Sequence, residues 1–164
     1  METECIQIKR GSFNPITFFN NPRWSIDANR TDIRSVVLNE FHPKEILLMN
    51  VTREDRRPED GIERLSFVVA RENYLRLDVG VFHALWTNQH LIPYFWKQLV
   101  KNESKVIYFD GSVFKDEHSD DFCVVCLYWG GDRWSWEIKS LRRPLFGFSC
   151  SAVLADKHYP LQCL

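Results

Sequence analysis

Residues Leu127 to Trp136 read LYWGGDRWSW, and no other stretch constrains the fold of this chain as tightly. Alternating apolar side chains flank Gly130-Gly131, the pattern of two strands joined by a tight reversal. Across a loop of two or four residues, odd-numbered positions oppose even-numbered ones. Trp134 and Trp136 then join Val125, Leu127 and Trp129 on one apolar face. Val124, Cys126, Tyr128, Arg133, Ser135 and Glu137 fall on the other, more mixed face. One apolar and one mixed face predicts an antiparallel sheet with one side packed on helices. The rival reading, an exposed stacking platform, requires a large apolar patch left in water. Trp129, nearest the tip, is expected to stay partly open. Any pocket here has Trp129, Trp134 and Trp136 as its wall and Arg133 or Glu137 at its rim.

The helices to cover that face are sought upstream. Asp78 is an N-cap for VGVFHALWTN, with Phe82, Leu85 and Trp86 on one side. Pro93 opens PYFWKQLVK, in which Phe95, Trp96, Leu99 and Val100 are expected to face inward. TDIRSVVLNEF carries a Thr or Asp cap ahead of Ile33, Val36, Val37 and Phe41 at helical spacing, and His42-Pro43 ends it. EILLMNV reads as a short buried strand. GIERLSFVVAREN stays open between helix, through Ile62, Leu65 and Val69, and strand, through SFVVA; helix is preferred. FNPITFFNNPRW, with two Asn-Pro steps, reads as a loop or short strand wrapped over the core. REDRRPEDG, with its alternating charges, reads as a wide solvated turn.

From about residue 105 the pattern becomes extended. KVIYF, Asp110-Gly111 and SVF predict a hairpin with a primed turn. FKDEHSDDF is a polar reversal, DFCVVCLYW and RWSWEIK are strands, and Ser151 to Ala155 adds one more. A single domain over 1–164 follows, of α+β class: a C-terminal antiparallel β-meander packed against short helices, behind a helical and irregular first half. A length of 164 residues suits one core.

Chemistry is harder to find. Formal charge is −1, from 21 Lys+Arg against 22 Asp+Glu, and no basic run stands out, so nucleic acid is not an expected partner. Binding of single strands by tryptophan stacking is kept as an alternative. No run reaches the ~18 apolar residues of a membrane span, and METECIQIKRGSF lacks the pattern of a secretory signal. A cytoplasmic location is expected, with the five cysteines reduced and the sequons at Asn29, Asn50 and Asn102 unused. Cys123 and Cys126 lie three apart in a β-branched strand, so their thiols diverge and read as structural. Asp116 to Asp121 lacks the ligand spacing of a calcium loop. No cofactor and no metal ligand set is expected. No phosphate loop or nucleophile elbow occurs, and His42 and His158 are isolated, the latter two residues from Asp156. His83 is expected at the boundary of its helix. An enzyme, the alternative reading, would combine His90 or His118 with Asp110 or Asp120 beside an aromatic pocket.

The order ALWTNQHLIPYFWK, IYFDGSVF, LYWGGDRWSW, SAVLA resembles a loose set of small uncharacterised bacterial proteins, some of the kind carried on mobile gene cassettes. The resemblance spans roughly residues 73–156. It implies a bacterial, cytoplasmic, single-domain protein and brings neither an activity nor functional residues. With 12 Phe, 6 Trp and 5 Tyr, the expected function is a small binding or protein-interaction module, with a protein partner, a second copy or a small molecule as its ligand.

Overall fold

The computed structural model describes residues 4–50, 58–103, 106–144 and 149–157. Among them are strands β1 (Ile6–Gln7), β2 (Trp24–Ile26), β3 (Glu40–Phe41), β4 (Leu47–Asn50), β5 (Tyr74–Arg76), β6 (Val106–Tyr108), β7 (Phe114–Asp116), β8 (Asp121–Trp129), β9 (Trp134–Ser140) and β10 (Ser149–Ala155). The α-helices are α1 (Pro15–Phe18), α2 (Ile33–Val36), α3 (Gly61–Val69), α4 (Val79–Thr87) and α5 (Tyr94–Glu103). The class is α+β.

β8 organises the sheet. Its β-branched, apolar sequence suits a strand buried on both faces. On one edge it pairs antiparallel with β9, with Trp129 opposite Trp134, Leu127 opposite Trp136 and Val125 opposite Ile138. The connecting loop therefore spans residues 130–133, and Gly131 takes the left-handed φ of 101° that a side chain resists. On its other edge β8 pairs with β7 at Cys123 and with β6 at Leu127. β10 lies beyond β6 and runs parallel to it, while β2 lies beyond β7. Val153 pairs with both Leu47 and Arg76, so β4 and β5 flank β10 on opposite edges. The first half of the chain thus contributes β2, β4 and β5 to the main sheet; the EILLMNV strand was expected, and β5 was not.

Helices cover both faces. Val125, Leu127, Phe109 and Ala152 pack with Phe82 and Leu85 of α4 and Trp96 of α5. Val124, Cys126 and Tyr108 pack with Leu65 of α3 on the reverse side. Part of the face expected to be mixed, at Val124 and Cys126, is a second apolar core, because α3 closes it; Glu137 and Lys139 on the same face stay open to solvent.

α3 and α4 start at side-chain caps, Asp60 accepting from Glu63 N and Asp78 from Val81 N. The buried face of α3 is Arg64, Leu65, Phe67 and Val68; Ile62 and Val69 point to solvent. α2 is a single turn capped by Asp32, and Ile33 and Val37, expected inward, are 68% and 66% exposed. The run ends because Asp32 and Ser35, not the aliphatics, hold the turn to the protein through Arg76 N and Asp78 N. In α5, Trp96 and Val100 are buried while Phe95 points outward. β4 forms as expected but at an edge, with Leu47 exposed. Most of the REDRRPEDG turn lies outside the described residues.

Asp110-Gly111 is not a hairpin turn. β6 and β7 are two parts of one run along β8, and residues 109–113 bulge out between them. Gly111 is required by contact: a Cβ there would sit 2.5 Å from Leu77 C and 2.6 Å from Asp78 N. Its N–H donates to Leu77 O at 2.8 Å, and its carbonyl accepts from Asp32 N at 3.0 Å. The bulge also sends the Asp110 carboxylate into the interior, fully buried, against the equally buried Arg64. Their two contacts are 2.8 and 2.5 Å, and Ser151 Oγ donates to Asp110 Oδ2 at 2.5 Å. The Arg64 guanidinium lies 3.8 Å from the Tyr108 ring centroid, and Arg76 Nη1 donates to Asp110 O at 2.6 Å.

Burial pushes the Asp110 carboxyl up, but Arg64 and the Ser151 hydroxyl outweigh it and hold the group below the usual carboxylate range. A depressed native pKa adds stability that is complete above the unfolded value and is lost as pH falls through the native one. Unfolding free energy should therefore fall steeply below about pH 4, the unfolded Asp value, and Asp110→Asn should flatten that limb in urea titrations across pH. Arg64→Ala, which strands a buried carboxylate, should cost about 3–5 kcal/mol in the same measurement.

Candidate functional site

The hairpin tryptophans turn inward to different depths. Trp136 packs on Phe18, Phe19 and Phe82 at centroid distances of 5.5, 5.1 and 6.4 Å. Trp134 is buried and meets Trp129 edge-on at 5.4 Å. Trp129 remains partly open, donates through Nε1 to Gly131 O at 2.8 Å, and carries Lys97 Nζ 4.0 Å over its ring. Of the five candidate pocket residues, Arg133, Trp134 and Trp136 share a shallow depression with Trp86 and Tyr128. Trp129 and Glu137 lie outside it, Glu137 on the opposite face of β9 with Lys139 Nζ at 3.2 Å.

A better-formed cleft, about 380 Å³, opens where the chain preceding α1 crosses the N-terminus of α4. Its walls are apolar: Ile8, Phe13, Ile26, Ile33, Val36 and Val79. Arg10 crosses its floor. Nη1 meets Asp78 Oδ2 at 2.7 Å, Nε donates to Leu38 O at 2.7 Å, and Nη2 to Ser35 O at 2.6 Å. Gly80 lies beneath Nη1, where a Cβ would approach within 2.6 Å. Asp78 is nearly buried, and it caps α4 as well as neutralising Arg10. Ser112, carried on the 109–113 bulge, completes the floor and accepts from Val79 N at 3.2 Å.

His83 forms one end wall, stacked on Phe13 at 4.0 Å with planes 16° apart. Burial lowers its pKa, which favours the neutral imidazole. Its far side lines a second hollow with Cys5, Gln7 and Asn88. The cleft thus combines apolar walls, one balanced ion pair, a hydroxyl and a neutral imidazole. That set suits binding of an apolar body with a polar end.

The groups of the enzyme alternative are not brought together beside an aromatic pocket. Asp110 is sealed behind Arg64 and Ser151, and Asp120 pairs with Lys115 at 2.9 Å in an exposed turn. His118 belongs to that same turn, where its N–H donates to Asp116 Oδ1, and His90 sits in the 3-10 turn Gln89–Leu91. Among the described residues, no group of three or more His, Cys, Asp or Glu is placed to hold a metal ion. No helix there is long and apolar enough to cross a membrane. His158 and Cys163 lie outside the described residues.

Asp78 was visible in the sequence as a cap, and His83 as a boundary residue. Arg10 and Ser112 gave no such signal, since only the fold sets an N-terminal loop against a bulge one hundred residues on. No protein family, curated protein or solved structure matches the chain.

Cys123 and Cys126 face different cores, as their spacing in a strand demands. Burial pushes the Cys123 thiol up to about 11, and the Cys126 thiol is raised further by burial and by Glu137. Both should resist iodoacetamide at pH 8 in the native protein and label fully in guanidinium, as read by peptide mass mapping.

Proposed function

We propose that the protein is a small, non-catalytic binding module of the cytoplasm, and that the Arg10–Asp78 cleft receives its ligand. The observation that carries this reading is the pairing of an apolar wall with a charge-balanced floor. Arg10 and Asp78 cancel each other, so a charged ligand gains little there, while the six apolar side chains reward an uncharged, largely hydrocarbon body. One N–H of Arg10 Nη1 has no partner among the described residues, and Lys9 stands at the rim. Both would meet a carbonyl, ether or similar acceptor at one end of the ligand.

Exposed Ile26 and Ile33 support the same assignment, because they form a mouth whose apolar area a ligand would cover. The Trp134–Trp136 depression is the weaker candidate. Its rings are already committed, Trp136 to Phe82 and Trp134 to Trp129.

Titration with the neutral dye N-phenyl-1-naphthylamine tests the proposal. Wild type should show one saturable site. Ala28→Trp, at the cleft rim, should weaken it at least about tenfold. Ala70→Trp, on another exposed surface, should bind as wild type does. Equal affinity in the two variants, or no saturable signal in wild type, would remove the cleft from consideration.

A further inference from the structure

The outer edge of β9 is the longest strand edge in the main sheet that no other strand occupies among the described residues. The other strands with an open edge, β2, β4 and β5, have three, four and three residues; β9 has seven. Exposed edges of this length are ordinarily blunted by proline, a bulge or a covering segment. β9 contains no proline or glycine, and its register against β8 runs without interruption from Ser140 to Trp134.

The direction of its free peptide groups follows from two bonds. Gly130 N donates to Arg133 O, and Leu141 N donates to Phe122 O. In an antiparallel ladder, hydrogen-bonded and non-bonded pairs alternate, so the odd residues 133 to 141 bond inward to β8. Trp134, Trp136, Ile138 and Ser140 therefore turn their N–H and C=O groups outward. Ser140 O is partly engaged, accepting a long 3.4 Å bond from Arg143 N.

We propose that this edge pairs with the same edge of a second copy, antiparallel about a two-fold axis through Ile138. Side-chain charge selects the register. A symmetric ladder must match outward-facing residues with one another, which permits axes at 136, 137, 138 or 139. An axis at 137 sets Glu137 against its own copy, and one at 139 does the same for Lys139. The axis at 138 instead places Glu137 opposite the partner's Lys139, twice over, in non-bonded pairs where side chains approach most closely. Within one strand Lys139 and Glu137 pair with each other at 3.2 Å, and with side chains 37% and 44% exposed they can exchange that partner for the one across the axis. Charges that blunt an edge against foreign strands here complement the edge itself. This surface lies apart from the Arg10–Asp78 cleft, so the pairing stands independently of the ligand proposal.

Sedimentation velocity at tens of micromolar tests it. Wild type should run as a dimer. Glu137→Lys and Lys139→Glu should each run as monomers with unchanged circular dichroism, because each sets like charges face to face. Mixing the two variants should restore a dimer, since one strand then carries two lysines and the other two glutamates. The double variant E137K/K139E should dimerise as wild type does. A monomeric wild type, or single-charge variants that still dimerise, would overturn the proposal. So would a mixture that stays monomeric.

Discussion

The Arg64–Asp110 pair, closed by the Ser151 hydroxyl, joins three elements that the chain does not place together: α3, the bulge between β6 and β7, and β10. Two charges taken out of water are costly, and only close bidentate geometry with further hydrogen bonds offsets the loss. Both conditions are met. Asp110 accepts from both Arg64 terminal nitrogens and from Ser151, and Arg64 lies against the Tyr108 ring. With α3 held there, the reverse face of the sheet becomes core, and β8 is buried on both sides. The ionic chain continues outward. Arg76 bonds the Asp110 carbonyl, Asp32 bonds Arg76 N, and Arg34 bridges Asp32 to Asp156.

The bulge does two jobs within three residues. Asp110 turns toward α3, while Ser112, two positions on, reaches the floor of the cleft on the α4 side. Gly111 makes this possible by lying flat against the backbone of residues 76–78, where no side chain fits. The interior ion pair and the cleft are therefore coupled through a few peptide units. Asp110 ties the bulge to α3, and Ser112 ties it to the start of α4. The cleft is the more rigid for it, since Arg10 is held by Leu38, Ser35 and Asp78 at once. A preformed, charge-balanced site binds with little ordering cost.

How far the sequence revealed this differs by element. The tryptophan hairpin was legible because strand parity is a local property: once the loop has four residues, Trp134 and Trp136 must share a face with Leu127 and Trp129. The cap at Asp78 is local too. Asp110-Gly111 misled for a physical reason. Its residues suit a primed turn, but the same flexibility serves a bulge, and the choice rests on a crowded contact with Leu77 and Asp78. Ile33, Val37, Ile62 and Val69 had helical spacing yet point outward, because Ser35 and Arg64 carry the binding faces of their helices. A periodicity count treats a buried arginine as solvent-facing, so on α3 it placed Leu65 correctly but missed Arg64, Phe67 and Val68 on the buried face.

By itself the sequence determined the class of the fold, the apolar face shared across the β8–β9 hairpin, the divergent cysteines and the starts of α2, α4 and α5. Each depends on residues a few positions apart, whose geometry is set by backbone periodicity. Only the tertiary structure decided that β10 runs parallel to β6, that α3 covers the reverse face, and that Arg10 and Ser112 line one cleft at the start of α4. Those outcomes depend on buried charges finding partners far along the chain, and such pairing leaves no periodic mark among the residues that take part.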